Sequence, residues 1–350
     1  MPTEQTPAHG SQDADDGSGP KAFAPNSSVA QAMHAVAVSK LETFSLVNSE
    51  DAAKLSVPLS ALRSLQRTLS AHKLKSDSKQ FRKASTLQPL LQRCAPVGPE
   101  SITDVALSVG WSPYLLARAA VARAMQCEGD KKALGSLMRN PSRISNCRLR
   151  EDAQYAMAAD AFVSPAVDAA KARVGALYER HLEALLDAVH LPYSSESSLR
   201  ELGAAKTPDV LLNVPIGIVH PVTGEAVLVN WLDSKGLFGD STTHMASVMP
   251  QAQAYANRYG PGIIVYWLGC EAALCDSGSS SSTAGEASQD IPPSTPLHGG
   301  QSSIVALPCF PLEYVLPGDS AVHQFKLLPL PAGCSEDEEP PAGVAGGDQG

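Results

Sequence analysis

The chain has 350 residues, 43% of them hydrophobic and 5% aromatic, with 27 prolines, 26 glycines and a formal net charge of −9 at pH 7. That length suggests two domains with unstructured segments between or beside them, and no apolar run approaches the roughly 18 residues of a membrane span. No secretory signal is visible, and the seven cysteines (Cys94, Cys127, Cys147, Cys270, Cys275, Cys309 and Cys334) show no CxxC pair, as expected of reduced thiols in an intracellular protein. The negative total is unevenly spread. Residues 54–150 hold 17 of the 27 Lys and Arg but 5 of the 36 Asp and Glu, a local net of +12, which leaves −21 elsewhere. A positive stretch of that size is the footprint of a polyanion-binding surface, or else a well-solvated helical face.

In chain order, residues 1–28 are rich in Gly, Pro, Ser and Asp and read as disordered. Residues 29–150 read as a basic helical region, with Leu55, Leu59, Leu62, Leu65 and Leu69 at helical spacing. Within it, Ser101 and Asp104 form a capping-box-like start before Ile102, Val105, Ala106 and Val109, and Gly110 ends that short helix. Trp111 and Ser112-Pro113 then open a second helix, Tyr114–Met125, carrying Arg118 and Arg123. Helix, glycine turn, helix over about 101–126 is the plan of a helix-turn-helix, and of a plain helical hairpin as well. Arg118 and Arg123 are its candidate nucleic-acid contacts.

A long helix follows over 164–190, with Val174, Leu177, Tyr178, Leu182, Leu185, Leu186 and Val189 on one face. Glu179 falls at the edge of that stripe and Glu183 further toward solvent. Two strands, 210–219 and 226–235, are joined by a Pro-Val-Thr-Gly turn. A helix near 249–259 closes on Gly260-Pro261-Gly262, and two apolar strands, 263–269 and 303–310, flank a Ser/Gly/Pro-rich insertion at 276–301. An acidic tail at 333–350 reads as disordered. The order of elements predicts an α/β domain over 164–318 with a mixed central sheet.

Chemistry concentrates at two strand ends. Asp209 leads the first strand, within Thr207-Pro208-Asp209, and Asp233-Ser234-Lys235 ends the second. Antiparallel pairing brings these ends together, and period-2 alternation puts Asp233 and Lys235 on one face. Two carboxylates and an ammonium suit a hard divalent cation, Mg²⁺ or Mn²⁺, acting on a phosphate. Gln251 and Tyr255, spaced i, i+4 on the next helix, face the same way. Asp-x-Lys followed by Gln-x-x-x-Tyr resembles the RecB-like branch of the PD-(D/E)xK nucleases.

The stretches KTPDVLLNVPI, VNWLDSKGLFGD and QAQAYANRYGPGIIVYWLG, with LLARAAVARAM, LGSLMRNPSRI and ALYERHLEALL upstream, resemble the codanin-interacting nuclease family, named for its TPD motif. The likeness covers roughly 101–270, with an extension through 307–316. It implies a restriction-endonuclease-like PD-(D/E)xK core similar to archaeal Holliday-junction resolvases, preceded by an all-α region containing a helix-turn-helix. Carried over by position, it makes Asp209, Asp233 and Glu179 the metal ligands, Lys235 the catalytic lysine, and Gln251 and Tyr255 supporting residues. Asp233 departs from the family's usual Glu and is one methylene shorter.

The expected activity is therefore metal-dependent hydrolysis of phosphodiester bonds in DNA, branched or structured DNA included. The alternative is an interaction protein of little turnover that binds a codanin-type chromatin-assembly regulator. DNA, a codanin-like protein and a second copy of the chain are the expected partners, with nucleus and cytoplasm as location and no membrane. His244 reads as a solvated loop histidine, and Gly236, Gly239 and Asp240 as a turn beside the lysine. Trp231, Tyr266 and Trp267 read as packing residues, and no zinc spacing is present.

Overall fold

The computed structural model describes residues 22–331 except 82, 222, 223, 225, 277–303 and 320. Residues 1–21, most of the expected insertion and the acidic tail lie outside the described residues. The chain opens with α1 (Ser27–Glu42), α2 (Ser49–Leu55) and α3 (Leu59–Phe81), the first two capped by Asn26 and Asn48. The leucine ladder builds their core, where Leu62 and Leu65 are fully buried with Met33 and Val47.

The next five helices are α4 (Ala84–Arg93), α5 (Ile102–Leu107), α6 (Pro113–Ala124), α7 (Lys131–Arg139) and α8 (Cys147–Ala159). A 3-10 turn, Pro141–Arg143, joins the last two. Ser101 and Gly110 bound the first helix as expected, and Ser112 caps the second. Ser101 Oγ accepts from Asp104 N at 3.0 Å, Gly110 takes φ +63°, and Ser112 Oγ accepts from Leu115 N at 3.1 Å. Each such side-chain cap stabilises its helix by about 1 kcal/mol. Trp111, Leu116, Val121 and Leu149 fill the core among these helices, and α6 is buried over most of its length.

The α/β part begins with α9 (Pro165–Asp187), β1 (Tyr193–Ser195), α10 (Glu196–Glu201), β2 (Val210–Val219) and β3 (Ala226–Lys235). Then α11 (Ser241–Thr243) runs through a π-helical turn, His244–Val248, into α12 (Met249–Tyr259). The remaining elements are β4 (Gly262–Tyr266), α13 (Ala272–Asp276), β5 (Ile304–Leu307), β6 (Glu313–Val315) and β7 (Val322–Gln324). The sheet runs β5-β4-β3-β2-β6-β7, with β1 also on β2. β3, β4 and β5 are parallel and the other pairings antiparallel, so the sheet is mixed.

β4 is buried at every residue, as expected of a central parallel strand covered on both faces. Leu182, Leu185 and Leu186 of α9 pack on one face with Ile216, Ile263 and Val265. Ala252 and Tyr255 of α12 cover the other face with Trp231 and Ile264. β2 breaks register between Leu211 and Ile216, where Pro215 has no N–H to give the ladder.

The stripe of α9 is turned from its sequence expectation. His181 joins the buried face, its ring edge-on to Trp267 at 5.3 Å, so Glu183 is half-buried and Glu179 is the exposed one. At the chain start, Phe23 O accepts from Cys270 N at 3.1 Å and Pro25 O from Ala272 N at 3.0 Å. Residues just before α1 therefore run along the α/β part rather than hanging free.

Candidate active site

Val210 pairs with Leu232, so Asp209, one residue before β2, arrives beside the end of β3. Its Oδ2 accepts from Ser234 N at 2.6 Å. Two contacts hold the turn that carries it: Glu196 N donates to Asp209 O at 3.0 Å, and Thr207 Oγ1 to Glu196 Oε1 at 3.2 Å. Asp233 lies in mid-sheet opposite Ile264 of β4 and is 2% exposed. Two residues on and on the same face, Lys235 sets Nζ 2.5 Å from Asp233 Oδ2.

Burial governs the electrostatics here. Desolvation and the neighbouring Asp233 carboxylate push Asp209 up to about 7, against the Ser234 amide and Lys235, which pull it down. Burial also raises Asp233, which the lysine only partly offsets. For Lys235, burial opposes the charge, but the charge and hydrogen bond of Asp233 outweigh it and hold the ammonium above its ordinary value. When both carboxylates are ionised, the one ammonium leaves a negative charge uncompensated within the site, the state that the raised Asp209 and Asp233 resist.

That excess, on hard oxygen donors, fits a divalent cation of the Mg²⁺ type, which takes one or two carboxylates and keeps several waters. Among the described residues, no three His, Cys, Asp or Glu side chains are gathered closely enough to enclose a metal. The fit thus rests on Asp209 and Asp233. Glu179 is exposed on α9, one residue after buried Tyr178, and acts on Asp209 and Lys235 through its charge rather than by contact. Gln251 Nε2 donates to Tyr255 Oη at 2.5 Å. The Tyr255 ring meets Trp231 edge-on at 5.4 Å, and burial with the nearby Asp233 raises its phenol.

Arg118 and Arg123 belong to the helical region. Arg118 donates to Tyr114 Oη at 3.3 Å with its guanidinium over that ring, and exposed Arg123 donates to Gln88 Oε1. His244 departs from expectation. It is 6% exposed, its Nδ1 lies 2.8 Å from Tyr266 Oη, and burial lowers its pKa. The turn beside the lysine is tighter than a plain turn requires. A Cβ at Gly236 would fall 2.7 Å from the Tyr178 ring, and one at Gly239 2.7 Å from Cys270 Cβ. Trp231 and Tyr266 are fully buried, and Trp267 stacks on Tyr178 at 5.2 Å while donating to Ser234 Oγ.

Sequence reasoning missed Glu196. Its charge raises Asp233 and its backbone holds the Asp209 turn, yet it carries no motif. Only its place at the start of a short helix ahead of TPD could have marked it.

A family model described as a protein of unknown function with a TPD sequence motif matches residues 145–283. Three similar proteins, from human, Xenopus laevis and Danio rerio, are each named CDAN1-interacting nuclease 1; they are 33%, 33% and 31% identical to this chain over 172 residues. The chain is similar to these codanin-interacting nucleases and carries the TPD motif of the matching family model. The matched stretch is 48% of this chain and 59%, 55% and 55% of those relatives, so it spans little more than half of their length. The family match takes in Glu179, Asp209, Asp233, Lys235, Gln251 and Tyr255, and the basic surface of α6 and α7 precedes it. No solved structure matches the chain significantly.

Proposed function

We propose that the chain is a metal-dependent nuclease that hydrolyses phosphodiester bonds in DNA, branched or structured DNA included, on a PD-(D/E)xK core. The observation that carries this reading is the convergence of Asp209, Asp233 and Lys235 at the joined ends of β2 and β3, with the ammonium 2.5 Å from a buried carboxylate. The names of the relatives support it at family level.

Asp209 and Asp233 would hold Mg²⁺ or Mn²⁺, with Glu179 reaching it through water. Bound there, the cation supplies charge to the phosphoryl and leaving oxygens. Lys235 remains protonated, because Asp233 stabilises its charge. It therefore donates, orienting the attacking water and meeting the negative charge that builds on the phosphoryl group. Ser234 N fixes the Asp209 carboxylate, and the Gln251–Tyr255 pair walls the same face of the sheet. The helix-turn-helix candidate α5–α6 and the +12 region supply affinity for the DNA backbone. A codanin-like partner, a homodimer, and a location in nucleus and cytoplasm belong to the same proposal, the first of them from the relatives' name.

The test is cleavage of duplex, flap and four-way-junction DNA with Mg²⁺ or Mn²⁺. Wild type is expected to cut, and Asp209→Ala and Lys235→Ala to lose about 100-fold or more in rate, as removal of one transition-state donor typically does. An inert wild type, or variants that cut equally well, would sink the proposal.

A further inference from the structure

Two sets of basic residues in the helical region differ in their partners. Lys40, Lys54, Lys73 and Arg93 each meet a carboxylate, of Asp51, Glu50, Asp77 and Glu100, at 2.5–3.0 Å. Residues 131–150 hold six basic side chains and no acidic one. Among the described residues none of the six forms an ion pair. The hydrogen bonds they make go to neutral oxygens. Arg143 Nη1 donates to Ser136 Oγ at 2.9 Å, Arg148 Nη2 to Pro99 O at 2.7 Å and Arg150 Nη1 to Ile144 O at 3.3 Å. Arg139, Arg143 and Arg148 are exposed.

The basic residues at the two helix starts also run against local stability. Neither α7 nor α8 has an acidic residue in its first turn. α7 begins Lys131-Lys132, and α8 carries Arg148 at its second position. A cation there opposes the helix dipole by about 0.3–1 kcal/mol. Inside the fold the offset is partial: Asp130 caps α7, accepting from Lys132 N and Ala133 N, and the charge of Asp152 acts on Arg148 without forming an ion pair. The arginines of α6 are not equivalent, since Arg118 is drawn onto Tyr114 and Arg123 onto Gln88.

We infer that Arg139, Arg143 and Arg148, on the continuous edge formed by the end of α7, the 3-10 turn and the start of α8, dock the phosphate backbone of duplex DNA. Guanidinium forks match phosphate oxygens in pairs and carry no sequence information in doing so. That suits an enzyme that finds its substrate by position and shape. The choice of DNA as the polyanion rests on the proposed nuclease activity; the surface itself rests on its unpaired charge. It moves the main backbone contact from the α6 face to the α7–α8 edge.

The test measures binding of a fluorescein-labelled 30-base-pair duplex by anisotropy in EDTA, so that binding is read without cleavage. Arg139→Ala/Arg143→Ala/Arg148→Ala is expected to weaken binding about 10- to 100-fold near 100 mM salt, and to lower the log–log salt slope by about 2 to 3. Lys40→Ala/Lys54→Ala/Arg93→Ala removes the same charge from paired positions and is expected to stay within about threefold of wild type. Should the arginine triple melt early, Arg143→Glu alone reads the same surface. The inference is overturned if the arginine triple binds like wild type, if both triples lose equally, or if wild type ignores DNA and RNA duplexes but binds polyglutamate. Preference for an RNA duplex of the same sequence would overturn the choice of DNA. Failure of cleavage alone would leave this binding result standing, so the two proposals fall separately.

Discussion

Asp160 shows how one side chain can hold a junction that no motif marks. It is 1% exposed, and its Oδ2 accepts from Ser112 Oγ and from Tyr114 N at 3.2 Å, while Oδ1 accepts from Phe162 N and Val163 N at 2.9 Å. The start of α6 is thereby tied to the link between α8 and α9. Asp160→Ala strands these donors in the core and is expected to cost about 3 kcal/mol, since each buried unmet donor costs roughly 1–3 kcal/mol. Thermal melting reads this as a fall of about 6–12 °C; a shift under 2 °C would mean that water takes over the bonds. Ser112 was legible as part of the turn that opens α6, but its partner 48 residues on was not. His244 was misread for the same reason: its burial comes from Tyr266, which no local window contains. That Asp209, Asp233 and Lys235 converge was legible because alternation and hairpin pairing are local rules acting on strands long enough to express them.

Element boundaries repeat that division. β2, β3 and α12 fall where the sequence expects them, since each combines a clear period with turn residues at its ends. β1, β6 and β7 span three residues each, too few to show a period; β1 and β6 form on β2, and β7 on β6. What the pattern hides is how the helical region meets the loop after Lys235. Phe238 is fully buried in the core of α1–α3 with Met33, Leu62 and Leu65, and its N donates to Ser64 Oγ at 2.9 Å. The loop is thus pinned by those helices on one side and by Tyr178 and Cys270 on the other. Phe238→Ala is expected to cost about 3–5 kcal/mol, as large-to-small changes of buried Phe do, with urea unfolding as the measure. A loss below 1 kcal/mol would show that the loop holds its place without the helices.

Across the whole molecule, the −9 total conceals a positive helical surface and an acidic remainder, and His34 joins the two parts at one point. From α1, its Nε2 lies 3.3 Å from Glu271 Oε1, just beyond β4, and Glu271 also accepts from Ser241 N at 3.2 Å. The hydrogen bond to Glu271 raises His34, burial opposes, and the charges of Glu271 and Asp240 add to the rise. Glu271 is lowered, first by the His34 bond and then, against burial, by Ser241. A raised histidine contributes its full stability below its unfolded value of 6.5 and loses it as pH climbs through the higher folded value. A lowered glutamate contributes above its unfolded value of 4.5 and loses it as pH falls through the lower folded one. The pair therefore contributes most between about pH 4.5 and 6.5. With the His34 side chain 31% exposed, solvent screening keeps the effect small. His34→Gln should melt about 1–3 °C below wild type at pH 6, with the gap narrowing by pH 8.5. A gap that is constant across that range would show that the histidine holds α1 to the sheet by packing rather than by charge.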